Sequence, residues 1–182
     1  GEDTDYGKTL SMAGIAIAWA KGARAYHQYH PHHMPPVHHV ESVVRNAINA
    51  YPGFARRNIE VFAQGSYRNG TNVRANSDVD VCVRCTDVYF LDLPAGYDKA
   101  SFGLVDASYS YAEFKNDVEN ALKMYLGADA VSRGKKAFDL HANTYRVDAD
   151  VVPTFEHRRY TVSNGNSRYI SGTELHPDGG GQ

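Results

Sequence analysis

A chain of 182 residues, 42% hydrophobic and 22% charged, holds enough apolar material for one core of ordinary size and too little for two. Nineteen Lys and Arg against 21 Asp and Glu leave a formal net charge of -2, which excludes a broadly basic nucleic-acid coat and a strongly acidic tail. Two cysteines, Cys82 and Cys85, are too few for a structural zinc site or a disulfide framework, so a reducing, cytoplasmic setting is the expectation.

The longest apolar run, Leu10 to Ala20, has 11 residues, about half of the roughly 20 that a membrane-spanning helix needs. A secretory leader would require a positive stretch ahead of it, whereas Glu2, Asp3 and Asp5 precede the run with only Lys8 beside them. The expected element is an amphipathic helix packed on the core. His27, His30, His32, His33, His38 and His39 follow, among Pro31, Pro35 and Pro36. Imidazoles can bind zinc, nickel or copper, but no acidic or thiol ligand accompanies them and the prolines stop helix. Residues 1–37 therefore read as an N-terminal helix with a His/Pro-rich linker, and residues 38–182 as the folded core.

Val40, Val43, Val44, Ala47 and Ile48 recur at helical spacing before Tyr51-Pro52-Gly53, which predicts a helix near 38–51. Residues 58–63 alternate apolar and polar and predict a strand, broken by Gln64-Gly-Ser-Tyr-Arg-Asn-Gly-Thr71. Residues 78–83 alternate again, with valines on one face and Asp78, Asp80 and Cys82 on the other. Phe114, Val118, Ala121, Leu122 and Tyr125, closed by Gly127, predict a helix over 111–126. Strand-like runs follow at 128–131, 137–140 and 145–152. The order implies an α+β fold with a mixed sheet flanked by helices. The tail His176-Pro-Asp-Gly-Gly-Gly-Gln182 reads as a turn leading onward, which makes a truncated chain the expectation.

The chemistry lies in a Gly-Ser turn followed by two acidic strands. In Asp78-Val79-Asp80 both carboxylates share a face, because side chains repeat every two residues along a strand. Like charges so close call for a cation, and Mg²⁺ or Mn²⁺ suits one or two carboxylates with water and substrate phosphates. Gly65-Ser66 comes just before. Glycine lets a backbone approach a phosphate, and the first amides of a following helix point at the anion. Asp148 and Asp150 share a face of a second strand, in Val147-Asp-Ala-Asp-Val-Val-Pro153. Three carboxylates on adjacent strands can hold two cations for in-line phosphoryl transfer.

Gln64-Gly65-Ser66-Tyr67-Arg68-Asn69-Gly70-Thr71, then Ser77-Asp78-Val79-Asp80-Val81, then Asp148-Ala149-Asp150-Val151-Val152-Pro153 resemble the polymerase β-like nucleotidyltransferases. More closely they are similar to the bacterial CD-NTases, relatives of cyclic GMP-AMP synthase that make cyclic di- and trinucleotide signals in anti-phage defence. The resemblance covers residues 38 to 178. It implies a palm-like catalytic core, two Mg²⁺ or Mn²⁺ ions, NTP substrates including ATP, and pyrophosphate as the leaving group. By position it assigns Asp78, Asp80 and Asp150 as catalytic metal ligands, with Asp148 the weaker candidate for the third place. Gln64, Gly65 and Ser66 become the nucleotide-binding turn, and Lys115, with Lys135 and Lys136, a candidate neutraliser of triphosphate. Family members continue into a helical lobe that closes the cleft, so this chain is expected to be the N-terminal half.

Two further readings stand beside this one: nucleotidyl transfer to a small molecule or protein, and a non-catalytic nucleotide-binding module. Cys82 and Cys85 fall on opposite faces of a strand, against a redox pair. Arg56-Arg57, Lys135-Lys136 and Arg158-Arg159 are isolated pairs rather than a basic stripe, so no direct nucleic-acid partner and no membrane partner are expected. A protein activator or effector is.

Overall fold

The computed structural model describes residues 36–65, 79–141 and 148–179. Ser66, Asp78, the N-terminal apolar run and His27 to His33 lie outside the described residues. Residues 34–182 form one compact unit.

Two helices cover one face of a six-stranded mixed sheet. Helix α1, Pro36–Ala50, begins on a proline, which the first turn tolerates because its N–H would have no partner there anyway. Thus Pro36 starts a helix that the sequence reading had prolines stopping. Its buried stripe is Val40, Val44, Ala47 and Ile48. Helix α2, Tyr111–Leu126, opens on a capping box in which the Ser110 side chain accepts from the Glu113 amide and the Glu113 carboxylate accepts from the Ser110 amide. Its buried residues are Phe114, Lys115, Val118, Ala121 and Leu122.

The strands are β1 (Ile59–Ala63), β2 (Val79–Asp92), β3 (Val131–Arg133), β4 (Phe138–Leu140), β5 (Ala149–Ser163) and β6 (Asn166–Glu174). Across the sheet the order is β1-β2-β5-β4-β3, with β6 also paired to β5. Only β2 and β5 run parallel; every other pair is antiparallel. Both central strands are far longer than their apolar alternation predicts, and residues 128–130 form a 3-10 turn rather than a strand.

Strand β5 changes its outer partner part-way along. Residues Ala149 to Val151 pair with β4, and residues Phe155 to Ser163 pair with β6. Pro153, which has no amide to donate, falls in the gap between the two ladders. Its carbonyl accepts from the Tyr111 hydroxyl at 2.7 Å, tying α2 to the sheet at that point.

The core lies between the helices and one sheet face. Val79, Val81, Val83, Phe138, Leu140, Ala149, Val151 and Phe155 meet Val44, Phe114, Val118 and Leu122 there. Full burial of each large apolar side chain contributes about 1.5–3 kcal/mol. By alternation, Asp80, Asp150 and Asp139 fall on the opposite face, Asp139 exposed and the other two half-buried.

Candidate active site

Register decides which carboxylates meet. In the parallel pair Asp80 stands opposite Asp150, and in the antiparallel pair Asp139 stands opposite Asp150. Directly opposed residues on neighbouring strands share a face, with Cβ atoms about 4.5–5.5 Å apart. The result is a row of three carboxylates across β2, β5 and β4. Ser132 extends it onto β3, opposite Asp139, and its hydroxyl lies 2.7 Å from Nε2 of His141.

The turn after β1 closes on the same row. The Gln64 amide donates to the Asp80 carbonyl at 2.9 Å, extending the β1–β2 ladder by one residue. Gly65 follows at φ +71°, and a Cβ placed there would lie 2.2 Å from Oδ2 of Asp80. Position 65 is therefore glycine for two reasons: its backbone is left-handed, and the space a side chain would fill holds the Asp80 carboxylate.

Asp148 lies just ahead of β5, exposed, and its carbonyl accepts from the Val79 amide. Of the two acidic residues in the 148–150 run, Asp150 is the one in register with Asp80.

Lys115 goes elsewhere. It is fully buried on α2, and its ammonium donates to the carbonyls of Gly134 (3.2 Å) and Lys135 (2.7 Å) and pairs with Asp178 at 3.0 Å. The ring of Phe138 lies 5.8 Å from the same nitrogen. Lys115 thus pins the turn between β3 and β4 from the helix side, while Lys135 and Lys136 are exposed on that turn. Asp178, which also takes Arg133, has its carboxyl held below the usual carboxylate range, chiefly by the Arg133 hydrogen bond.

The nucleotidyltransferase domain family matches residues 45–124, a span that contains Gly65 and Asp80. A cyclic dipyrimidine nucleotide synthase CdnE of Legionella pneumophila is 49% identical over 144 residues, 78% of this chain and 48% of its own length. The synthase of the same name from Cecembia lonarensis is 46% identical over 140 residues, 77% of this chain and 46% of its own. The solved structure of Rhodothermus marinus CdnE c-UMP-AMP synthase with Apcpp and Upnpp matches with a TM-score of 0.69 at 37% identity, covering 78% of this chain and 48% of that one. The chain carries a nucleotidyltransferase domain and is a homologue of the CdnE cyclic nucleotide synthases. It spans about half the length of the curated relatives it matches.

The donor set near Gly65 is all carboxylate oxygen, the hard chemistry that Mg²⁺ and Mn²⁺ prefer. Among the described residues alone, no three His, Cys, Asp or Glu side chains form a ready metal-binding group. Asp80 and Asp150 are the described carboxylates that stand opposite each other beside Gly65.

Sequence reasoning passed over Asp139, although Phe138-Asp-Leu140 carries the period-two signal of a strand with one polar face. What the sequence lacks is the register that sets this residue beside Asp150. The two cysteines are both free and buried. Cys82 lies 3.2 Å from the Thr154 hydroxyl, whereas the Cys85 thiol is pushed up to about 12 by burial and by its hydrogen bond to Asp87. A thiol so shifted stays protonated and unreactive at neutral pH.

Proposed function

We propose that this chain is the nucleotidyl-transferring half of a synthase that joins nucleoside triphosphates into a cyclic di- or trinucleotide signal for anti-phage defence, releasing pyrophosphate. The observation that carries the reading is the direct opposition of Asp80 and Asp150, with Gly65 seated against Asp80, in a chain 49% identical to a cyclic dinucleotide synthase over most of its length.

Asp78, Asp80 and Asp150 are the residues that would hold two Mg²⁺ or Mn²⁺ ions. When bound, such ions neutralise triphosphate charge and make the attacking hydroxyl more acidic. The chain's own residues supply the geometry. Gly65 and Ser66 present backbone amides and a hydroxyl to the phosphates, and the missing Cβ lets them come close to Asp80. The incoming hydroxyl oxygen bonds to the α-phosphorus while the bond to pyrophosphate breaks. An Oδ of Asp150, on the same sheet face, takes the hydroxyl proton.

The test is incubation of this chain and of the complete natural protein with the four NTPs, in Mg²⁺ and then Mn²⁺, followed by mass spectrometry. The relatives' names put UTP and CTP in the first mixture. A phosphatase-resistant cyclic product, formed with stoichiometric pyrophosphate, is the expected result. An adduct bearing an acceptor's mass would replace this reading with transfer to a small molecule or protein. NTP binding without pyrophosphate release by the complete protein would leave a non-catalytic module.

Gly65→Ala bears on the same site. A methyl group at 2.2 Å from the Asp80 carboxylate must displace it, and misplacement by about 1 Å costs about 10²-fold in rate. Turnover is expected to fall by that much and the melting temperature by about 5 °C, because the left-handed backbone at 65 costs an alanine about 1–2 kcal/mol besides the clash with the Asp80 carboxylate. Wild-type turnover in Gly65→Ala would remove the argument that this contact matters.

A further inference from the structure

The hairpin β3–β4 contributes a carboxylate that the Gly-Ser and Asp-x-Asp motifs do not include. Asp139 stands opposite Asp150 in the antiparallel register, exposed on the open face, between the buried Phe138 and Leu140. Strands in a sheet are about 4.8 Å apart, so Asp139 neighbours Asp150 and sits about 10 Å from the β2 strand that bears Asp80. That is too far to share a ligand sphere with Asp80, and it agrees with the absence of a ready three-residue metal group among the described residues.

Two opposed carboxylates on neighbouring strands repel, and such a pair destabilises a sheet by a few tenths of a kcal/mol to about 1 kcal/mol. The hairpin nevertheless holds Asp139 firmly in this position. Lys115 binds both carbonyls at its turn, Arg133 on β3 is gripped by Glu119 and Asp178, and the Gly134 amide donates to the Ala137 carbonyl at 2.8 Å. A short, exposed hairpin is thus fixed by a fully buried lysine and by the ion pairs of Arg133 with Glu119 and Asp178, with Asp139 held in register on the row.

We propose that Asp139 is an outer carboxylate of the divalent-cation site, accepting hydrogen bonds from water on the ion held at Asp150 and raising the affinity for that ion. The inference rests on the reading of Asp80 and Asp150 given above. Residues of this outer kind orient the ligands and tune the site, and their loss typically costs about 10–100-fold in metal affinity.

The experiment is a Mn²⁺ titration of the chain without nucleotide, followed by calorimetry and by the paramagnetic resonance signal of free Mn²⁺. It compares wild type, Asp139→Asn, Asp139→Glu and Asp129→Asn. Asp129 is an exposed acidic residue on the 3-10 turn before β3, so its substitution removes the same charge away from the row. Asp139→Asn is expected to weaken Mn²⁺ binding by about tenfold, with Asp139→Glu recovering most of it and Asp129→Asn binding as wild type does. A far-UV melt establishes that each variant is folded. Equal affinity in wild type and Asp139→Asn overturns the role of Asp139 and leaves the Asp80–Asp150 site intact. Equal losses in Asp139→Asn and Asp129→Asn reduce it to a general charge effect and likewise overturn it. A wild-type chain that binds no Mn²⁺ overturns the cation reading itself, and this inference falls with it.

Discussion

Asp80→Ala and Asp150→Ala are each expected to reduce nucleotide turnover by about 10³-fold or more while the protein stays folded, as befits groups that act at the reacting phosphate. The two residues face each other on the only parallel pair in the sheet, and their neighbours in sequence, Val79, Val81, Ala149 and Val151, carry the packing on the other face. On the proposed reading, chemistry and stability divide between alternate residues of the same two strands. Pyrophosphate release measured in Mg²⁺ and Mn²⁺, beside a thermal melt, checks both halves of the expectation. The double variant should lose little more than either single one, because groups that act as a unit are not additive. Turnover unchanged in either single variant would sink the assignment of that residue.

Lys115→Met is expected to act through stability. Methionine keeps the aliphatic bulk of the lysine but leaves the carbonyls of Gly134 and Lys135 without their buried donor and Asp178 without one of its partners. Each carbonyl left without its buried donor costs about 1–3 kcal/mol, and with Asp178 half-exposed and still paired to Arg133 the total is about 3 kcal/mol. For a chain of this size that corresponds to a fall in melting temperature of about 10 °C. The alternative, that Lys115 serves triphosphate, predicts the reverse pattern: an unchanged melt and a raised KM for NTP. The two outcomes separate cleanly in one calorimetric scan and one kinetic series.

Helix α2 was legible in the sequence, because Phe114, Val118, Ala121 and Leu122 form a buried periodic stripe and Gly127 marks its end, although Tyr125, read on the same stripe, is exposed and the Ser110–Glu113 capping box went unread. The face shared by Asp80 and Cys82 was legible for the same local reason, whereas the contact that requires glycine at 65, with the Asp80 carboxylate, was not. The far halves of the central strands were not. Residues 156–159 read Glu-His-Arg-Arg, yet Glu156 is buried between Arg158 and Ser171, and Arg159 reaches Asp92. A strand stabilised by ion pairs carries no apolar alternation to find. Strand β6 is an edge strand, largely exposed on both faces, and gives no burial signal either. Asp139 escaped because cross-strand register is a property of the folded sheet: residues 139 and 150 become neighbours only when β4 pairs antiparallel with β5.

The change of partner around Pro153 divides the outer edge of the sheet in two, while β2 spans both parts on the other side of β5. Beyond Pro153 the outer edge is a two-stranded ribbon with β6, and before it the outer edge is the short hairpin bearing Asp139. No ladder bond from Pro153 links the two. Fraying that begins in the ribbon therefore meets a firebreak one turn of the pleat away from Asp150. Substitutions, insertions or a docked protein along β6 can reshape that ribbon without shifting the carboxylate row, which leaves one half of the strand free to vary while the other stays fixed.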